Sequence, residues 1–373
     1  MMLVTLFSVI LIMLALLSGY FMLWCLPTIK KEEHQFIEFP TVSIIIPARN
    51  EEKRIVPLLL SLAKQHAKPY EIIVVDDDST DKTAEVAQMH GAKIIHVTKE
   101  EQDTLGKSMA CWLGTQQATG EWFLFLDADT TFKNADSLAI LLATYQKLGG
   151  RGLLSVQPYH IAKRFYENLS VVFNVVIMAG MNVFTPLGER LPGAGAFGPC
   201  ILCNREDYLL SGGHEAIKES LMDDLAIGKA FQKNDLPVYC YSGRDEVQFR
   251  MYPEGLNQLV EGWTKSFAIG STDTHPLVLG AVILWISGGF LTVGLIGYGL
   301  YSNLLFSTII GIGLTLLYFL QFYWLARKAG NFPWWVLSFY SILELFFILL
   351  FLWSLFRVNV LRTVIWRGRK LKV

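Results

Sequence analysis

Charge is scarce in this chain. Only 17% of its 373 residues are Asp, Glu, Lys or Arg, against about a quarter in an average soluble domain. The charge present is balanced, with 32 Lys and Arg against 33 Asp and Glu and a net of −1. This excludes a disordered polyelectrolyte and a protein that holds nucleic acid through a bulk basic field. Cysteine is rare, five in all, which is neither a disulfide framework nor a zinc array. No G-x-G-x-x-G follows a predicted strand, so a dinucleotide fingerprint is missing. Gly106-Lys107-Ser108 has the tail of a phosphate-binding loop, but Glu101 stands where the first glycine belongs. What the chain has in excess is apolar: 52% hydrophobic residues and a mean hydropathy of +0.38.

That excess is concentrated. Residues 3–25, 277–301, 304–326 and 333–356 are apolar runs long enough to cross a bilayer, and between His275 and Phe356 the only formal charges are Arg327, Lys328 and Glu344. The expected organisation is an N-terminal membrane anchor at 1–26, a cytosolic domain at 27–276, membrane helices at 277–356 and a basic amphipathic tail at 357–373. Lys30 and Lys31 follow the first run, so the positive-inside rule puts the middle of the chain in the cytosol. Four crossings would then leave Arg357, Arg362, Arg367, Arg369, Lys370 and Lys372 outside, where the same rule does not want them. Either one run is re-entrant or interfacial, or the tail is an exception. Residues 358–366 carry apolar residues between basic ones, which suits a surface-lying helix. Glu344, deep in the last run, is expected to face other helices or to be protonated.

The middle segment reads as α/β. Short β-rich runs at 42–46, 71–75, 93–97 and 122–126 alternate with helical patterns at 50–64, 80–90 and 108–118, which predicts a mainly parallel sheet covered on both faces. Ligands of such sheets bind beyond the carboxyl ends of the strands. The polar clusters 48–51, 76–79 and 127–129 all fall there. An acidic rim suits a divalent cation, Mg²⁺ or Mn²⁺, that bridges to phosphates and stabilises a diphosphate leaving group. Asp127 and Asp129 are its candidate oxygen ligands. The Asp76-Asp77-Asp78 turn could accept from a base N–H or a ribose hydroxyl, and Asp78 or Ser79 could instead cap the helix that follows.

Pro47-Ala48-Arg49-Asn50-Glu51, Asp76-Asp77-Asp78-Ser79-Thr80-Asp81, Gly106-Lys107 and Asp127-Ala128-Asp129, in that order and spacing, resemble the family 2 glycosyltransferases of the GT-A fold over about residues 42–265. The resemblance implies a UDP-sugar or another nucleotide-sugar donor and inversion at the anomeric carbon. It places Pro47, Ala48, Asn50, Glu51, Asp76 and Asp77 around the nucleoside, Lys107 beside the nucleotide, and Asp127 and Asp129 on metal and diphosphate. Asp78 departs from the pattern, since the family commonly has glycine there. Met222-Asp223-Asp224-Leu225 resembles the family's acidic motif at a helix start. Its carboxylate takes the acceptor proton; Asp224 is the preferred base and Asp223 the alternative, on the expectation that only one of two adjacent helical residues points inward. Gln258 and Trp263 keep two positions of the family's Q-x-x-R-W sequence but the arginine is missing; Lys265 or Arg250 are the available substitutes. That lesion disfavours a processive polysaccharide synthase.

A narrower resemblance is to membrane glycosyltransferases of carotenoid biosynthesis. It is carried by Leu153-Leu154-Ser155-Val156-Gln157-Pro158-Tyr159-His160, Ala196-Phe197-Gly198-Pro199, Gly212-Gly213-His214, Phe249-Arg250-Met251-Tyr252 and Trp366-Arg367-Gly368-Arg369. It implies glucosylation of the carboxyl group of a C30 carotenoid acid from UDP-glucose. His214, Gln258, Trp263 and Lys265 would lie on the acceptor side, and residues 169–181 would form an interfacial or a core helix. The expected location is the cell membrane, multi-pass, with the catalytic domain facing the cytoplasm. A glycosyltransferase of another lipid or a polysaccharide synthase is the enzymatic alternative. A membrane scaffold or transporter would need no acidic rim. Cys200-Ile201-Leu202-Cys203 has C-x-x-C spacing without a second pair, and flanks that read as a buried strand.

Overall fold

The computed structural model describes residues 2–29, 38–97, 106–220, 222–361, 363–366 and 369–372. Lys30, Lys31, Glu101, Arg362, Arg367 and Gly368, which entered the sequence reading, lie outside the described residues. By internal contacts the chain forms two units. One comprises Pro27–His160 and Gly195–Arg250, the other Met1–Leu26, Ile161–Ala194 and Met251–Val373. These divisions differ from those drawn at 26, 276 and 356, because Ile161–Ala194 and the residues from Met251 onward pack with the apolar helices.

The first unit is built on strands β1 (Val42–Ala48), β2 (Glu71–Asp76), β3 (Lys93–His96), β4 (Trp122–Leu126), β5 (Thr130–Phe132), β6 (Leu153–Gln157), β7 (Tyr159–His160), β8 (Cys200–Asn204), β9 (Val238–Ser242) and β10 (Val247–Phe249). Seven form one sheet in the order β3-β2-β1-β4-β8-β6-β9, and β5, β10 and β7 form a second, smaller one. In the large sheet only β8 runs against its neighbours, β4 and β6. The sheet is therefore mainly parallel, and a core lies on each of its faces. Ile44, Ile46, Leu124 and Leu126 pack on one side with Leu58, Leu59 and Leu62 of helix Ile55–Ala63. Ile45, Ile73, Phe123 and Phe125 pack on the other with Ala110 and Cys111 of helix Lys107–Gln117 and with Phe231 of helix Asp223–Lys233. This alternation follows from the two-residue side-chain period of a strand.

Several local expectations need correction. β1 continues through Pro47 to Ala48 rather than stopping before it. Odd-numbered residues of β1 present their backbone groups to β4, as when Trp122 N–H donates to Thr41 O at 2.9 Å. That pairing ends at Ile45, so Pro47, which has no N–H to give, lies beyond the last residue paired with β4. The first helix starts at Ile55, not residue 50. The second starts at Thr83, so neither Asp78 nor Ser79 caps it; the Asp81 carboxylate instead accepts from the Thr83 N–H and hydroxyl. Cys200 and Cys203 belong to opposite faces of the sheet, as residues three apart on a strand must, so they cannot share a metal or a disulfide.

The buried Asp207, paired with the solvent-exposed Arg151, ties this unit together. Asp207 accepts from Arg151 Nε at 3.0 and 2.9 Å, from the Gly152 N–H at 2.7 Å and from Asn204 Nδ2 at 2.9 Å. Burial alone would raise its pKa, but the bonds from Arg151, Gly152 and Asn204 outweigh it and hold the carboxyl below its ordinary value. A depressed carboxyl stabilises the fold fully above its unfolded pKa of about 3.9 and loses that contribution as pH falls through the lower folded value. Asp207→Asn is thus expected to lower the unfolding temperature by roughly 5 °C. The gap to the parent should be constant from neutral pH down to about 5 and close only below about 4. Unfolding scans against pH test this, and a gap already closing at pH 6 overturns it.

Among the described residues the second unit holds four helices long and apolar enough to cross a membrane, at Met2–Met22, Pro276–Tyr301, Leu305–Ala329 and Tyr340–Leu361. Glu344 is fully buried, as expected of a carboxyl facing other helices. Its Oε1 lies 2.6 Å from the Tyr318 hydroxyl. Helix Val171–Gly180 buries Val171, Val172, Phe173, Val175, Met178 and Ala179 within this unit. The tail is not a surface helix. A π-turn at Arg357–Leu361 leads into an antiparallel ribbon of Thr363–Trp366 with Arg369–Lys372, because Thr363, Val364 and Ile365 are β-branched and favour extended backbone.

Candidate active site

β1, β2 and β4 run parallel, so their carboxyl ends share one rim. The loops after β1 and β2 are laced together there. Asp77 N–H donates to Ala48 O at 2.9 Å, and Arg49 donates to Asp77 O at 3.1 Å while its guanidinium stands 3.8 Å from the Asp77 carboxylate. Asn50 N–H donates to the Ser79 hydroxyl at 2.9 Å, Asn50 Oδ1 accepts from Thr80 N–H at 2.8 Å, and Glu51 N–H donates to the Thr83 hydroxyl at 2.8 Å. Asn50 and Asp78 adopt left-handed backbone, with φ of 53° and 58°. This explains why Asp78 can stand where the family has glycine: Asp and Asn are the side chains that tolerate that region best. Glu51, Asp76 and Asp77 are buried. Asp76 Oδ2 is 3.3 Å from His96 Nδ1, while its Oδ1 is buried without a hydrogen-bond partner among the described residues.

The third part of the rim carries the densest charge. Lys107, the first residue of its helix, places Nζ 2.9 Å from Asp127 Oδ1, 3.1 Å from Asp224 Oδ1 and 3.6 Å from Asp223 Oδ2. One ammonium thus bridges the end of β4 to the start of helix Asp223–Lys233. Both adjacent aspartates reach it, which corrects the expectation that only one could point inward. They sit in the helix's first turn, where the macrodipole favours negative charge. Burial alone would lower the Lys107 pKa, but the three carboxylates hold it well above its ordinary value. For Asp224, burial and the neighbouring Asp223 charge push the carboxyl well above the usual range, against the pull of Lys107. A carboxyl raised in this way is tuned to take a proton near neutral pH.

Sequence reasoning missed what holds Asp224 in place. The loop before β8 runs directly under the helix start. A Cβ on Gly198 would lie 1.7 Å from Asp224 Oδ1, one on Gly195 2.4 Å from Leu225 O, and one on Gly228 2.4 Å from the Gly195 carbonyl carbon. Asp127 N–H donates to Pro199 O at 3.0 Å, and the Ser155 hydroxyl accepts from Phe197 N–H while donating to Phe197 O at 3.0 Å. The signal that could have revealed this is the glycine spacing around Gly195 and Gly198, in the loop ahead of β8.

Asp129 stays in the turn between β4 and β5, whereas the residues predicted for the acceptor side fall elsewhere. Asp129 is tied through its carbonyl to the Arg250 N–H at 3.2 Å. His214 is buried against Phe125, with ring centroids 4.7 Å apart, and its Nδ1 is 3.0 Å from the Tyr208 hydroxyl. Burial pushes its pKa down to about 4, so the ring is neutral near pH 7. Gln258, Trp263 and Lys265 belong to the other unit. Gln258 exchanges hydrogen bonds with Glu254 on an exposed turn. Trp263 is a core residue of that unit, stacked 4.9 Å from Phe173 and donating to the Ser170 hydroxyl at 3.1 Å. Lys265 lies on helix Leu256–Gly270, and its side chain is outside the described residues.

Comparison with known proteins agrees with this geometry. Residues 43–208 match the family described as Glycosyl transferase family 2. The 4,4'-diaponeurosporenoate glycosyltransferases of Staphylococcus aureus strains USA300 and MRSA252 are each 40% identical over 336 residues, covering 89% of this chain and 88% of theirs. Among solved structures, the mannosyltransferase PcManGT from Pyrobaculum calidifontis, in complex with GDP-Man and Mn²⁺, superposes with a TM-score of 0.50 at 16% identity, covering 94% of this chain and 98% of that one. That likeness speaks for the fold alone. With the sequence identity and the family match it is sufficient: this chain is a hexosyltransferase of the GT-A fold and belongs to glycosyltransferase family 2.

Proposed function

We propose that the chain transfers glucose from UDP-glucose, with inversion, to the carboxyl group of a C30 carotenoid acid such as 4,4'-diaponeurosporenoate. The observation that carries the reading is the Lys107-bridged set of Asp127, Asp223 and Asp224 at the rim. It is supported by the relatives' 40% identity across nearly nine-tenths of both chains. Asp76, Asp77 and Glu51, with Pro47, Ala48 and Asn50 alongside, would take the nucleoside. The Oδ1 of Asp76, buried without a partner among the described residues, suits a ligand hydroxyl or N–H.

A divalent cation fits this rim in a particular way. Among the described residues no three His, Cys, Asp or Glu side chains are arranged to cage a metal. Magnesium-type ions, however, are held by one or two carboxylates plus substrate phosphates rather than by an all-protein cage. Asp127 and Asp129 would hold the ion, and Mg²⁺ and Mn²⁺ suit that oxygen set equally. When bound, it would neutralise charge on the departing diphosphate.

The chain's own residues then have distinct tasks. An acceptor oxygen forms the new bond to the anomeric carbon as that carbon's bond to the diphosphate oxygen breaks, and the nucleoside diphosphate leaves. Lys107 holds positive charge beside the leaving group. Asp224, or Asp223 in its place, takes the acceptor proton if there is one to take. A carboxylic acid acceptor is already ionised at neutral pH, and Asp224 then orients the acceptor instead. The donor is cytosolic and the acceptor dissolves in the bilayer, which supports a cell-membrane enzyme with its catalytic unit in the cytoplasm.

The test is to incubate membranes carrying the chain with labelled UDP-glucose and a carotenoid acid, and to identify lipid-phase products by mass. A glucosyl ester is expected, and no transfer to any extractable lipid overturns the reading. With that acceptor, Asp224→Asn is expected to keep activity within about tenfold of the parent, against a loss of about 10²–10⁴ when a general base is removed from an alcohol-using enzyme. A collapse to background with a carboxylate acceptor would refute the orienting role of Asp224.

A further inference from the structure

The directions of the apolar helices can be read from their contacts. Thr5 Oγ1 lies 2.8 Å from Ser307 Oγ, and Lys328 Nζ donates to Leu23 O at 2.6 Å. Met2–Met22 and Leu305–Ala329 therefore run parallel. Pro276–Tyr301 runs against them, with Gly299 packed on Thr308 and the Trp285 and Phe322 rings 5.7 Å apart. Leu23, His275 and Ala329 thus lie at one end of this bundle, and Met2, Tyr301 and Leu305 at the other.

The fourth apolar segment begins and ends at the first of these ends. At its start, Ala162 N–H donates to Asn331 Oδ1 at 2.7 Å, Asn331 Nδ2 donates back to Ala162 O at 3.3 Å, and Trp335 stacks on Phe165 at 5.9 Å. The segment carrying Ala162 and Phe165 is fastened to the start of Pro276–Tyr301 by Asn182, which accepts from His275 N–H at 2.9 Å and donates to Asp273 O at 3.3 Å. Deeper in, the Tyr340 hydroxyl meets Thr292 Oγ1 at 2.7 Å, Glu344 Oε1 meets the Tyr318 hydroxyl at 2.6 Å, and Glu344 Oε2 fills the space a Cβ on Gly289 would take. Then the chain turns back. Phe347 packs on Phe173 at 4.9 Å, and Ser354 Oγ donates to Thr264 O at 2.6 Å. Thr264 lies on helix Leu256–Gly270, ahead of His275.

We propose that this segment is a re-entrant hairpin inserted from the side on which residues 24–275 lie, and not a fourth crossing. Three crossings remain. Residues from Arg357 onward then share a side with residues 24–275, and the basic positions of the tail, with Arg327 and Lys328, fall where the positive-inside rule wants them. The partner of the outgoing leg is the lipid of that one leaflet. Ile342, Leu345, Leu349, Leu352, Trp353 and Phe356 are exposed and recur at helical spacing opposite the buried Leu343, Phe347 and Leu350. Arg357 stands 6.0 Å from the Trp353 ring, an aromatic and a basic anchor together at the leg's end. The inference is independent of the acceptor proposed above.

Single cysteines at exposed Lys64, Asn303 and Asn359, in the full chain with Cys25→Ser, test it with a membrane-impermeant maleimide in sealed vesicles. Vesicles in which Lys64→Cys labels without permeabilisation should also label Asn359→Cys, and should protect Asn303→Cys until they are opened. Protection of Asn359→Cys together with Asn303→Cys overturns the proposal. An epitope tag after Val373 challenged with added protease gives the same two outcomes if Asn359→Cys fails to react: digestion alongside Lys64 labelling supports the hairpin, and protection refutes it.

Discussion

Lys107→Met is expected to lower transfer by about 10²–10³ and to move the acid limb of the pH–rate profile upward. Methionine keeps most of the side-chain volume but removes the ammonium that stands 2.9 Å from Asp127, 3.1 Å from Asp224 and 3.6 Å from Asp223. Those carboxylates would then face one another with no shared cation. Burial and Asp223 already raise the Asp224 pKa, and Lys107 opposes them. Without Lys107 the pKa rises further, so at neutral pH more of the enzyme holds Asp224 protonated and unable to accept a proton or balance charge. The sign follows directly: activity lost on the acid side is lost at a higher pH than in the parent, and raising the pH recovers part of it. Lys107→Arg keeps the charge but spreads it over a planar fork that does not match three separate oxygens, and should fall between. A Lys107→Met enzyme within threefold of the parent and with an unmoved profile refutes the bridging role.

How much of this was visible in the sequence varies with the range of the interaction. The β1, β2 and β4 rim was legible because each strand, its stop and its polar turn are local, and parallel pairing then brings three local features together without further information. The four apolar runs were legible for the same reason. What was not legible depends on long-range packing. Lys107 and Asp224 are 117 positions apart, and no periodicity links them. That both Asp223 and Asp224 face one ammonium depends on the helix start leaning over β4, which neither residue's helical position discloses. Trp263 matched a family pattern, yet its ring is spent on Phe173 and Ser170 inside the other unit. The fourth apolar run has the length and hydropathy of a crossing. Only the pairing of Asn331 with Ala162 and of Ser354 with Thr264 reveals that it returns to its starting side.

Gly198→Ala should lower transfer by about a hundredfold, more than Asp224→Asn, which leaves the orienting side chain in place, while leaving the chain folded. The position is not one of unusual backbone, so the demand for glycine is purely steric. A Cβ there would sit 1.7 Å from Asp224 Oδ1 and 2.0 Å from its Cγ, far inside van der Waals contact. The loop cannot yield easily, because Pro199 O accepts from Asp127 N–H and Phe197 is bonded at both its N–H and its carbonyl to the Ser155 hydroxyl. Nor can the helix retreat without cost, since Gly195 and Gly228 meet in backbone-to-backbone contact one turn along. The Asp224 carboxylate is the part free to move, and rotating it away breaks its contact with Lys107. A displacement of about 1 Å in a positioned group costs about a hundredfold in rate. The fall should therefore appear in kcat, with donor KM nearly unchanged, because Asp76, Asp77 and Glu51 are untouched. Gly195→Ala, which strikes Leu225 O rather than the carboxylate, should instead lower the unfolding temperature. A Gly198→Ala enzyme with parental kcat would show that Asp224 is not held by this loop.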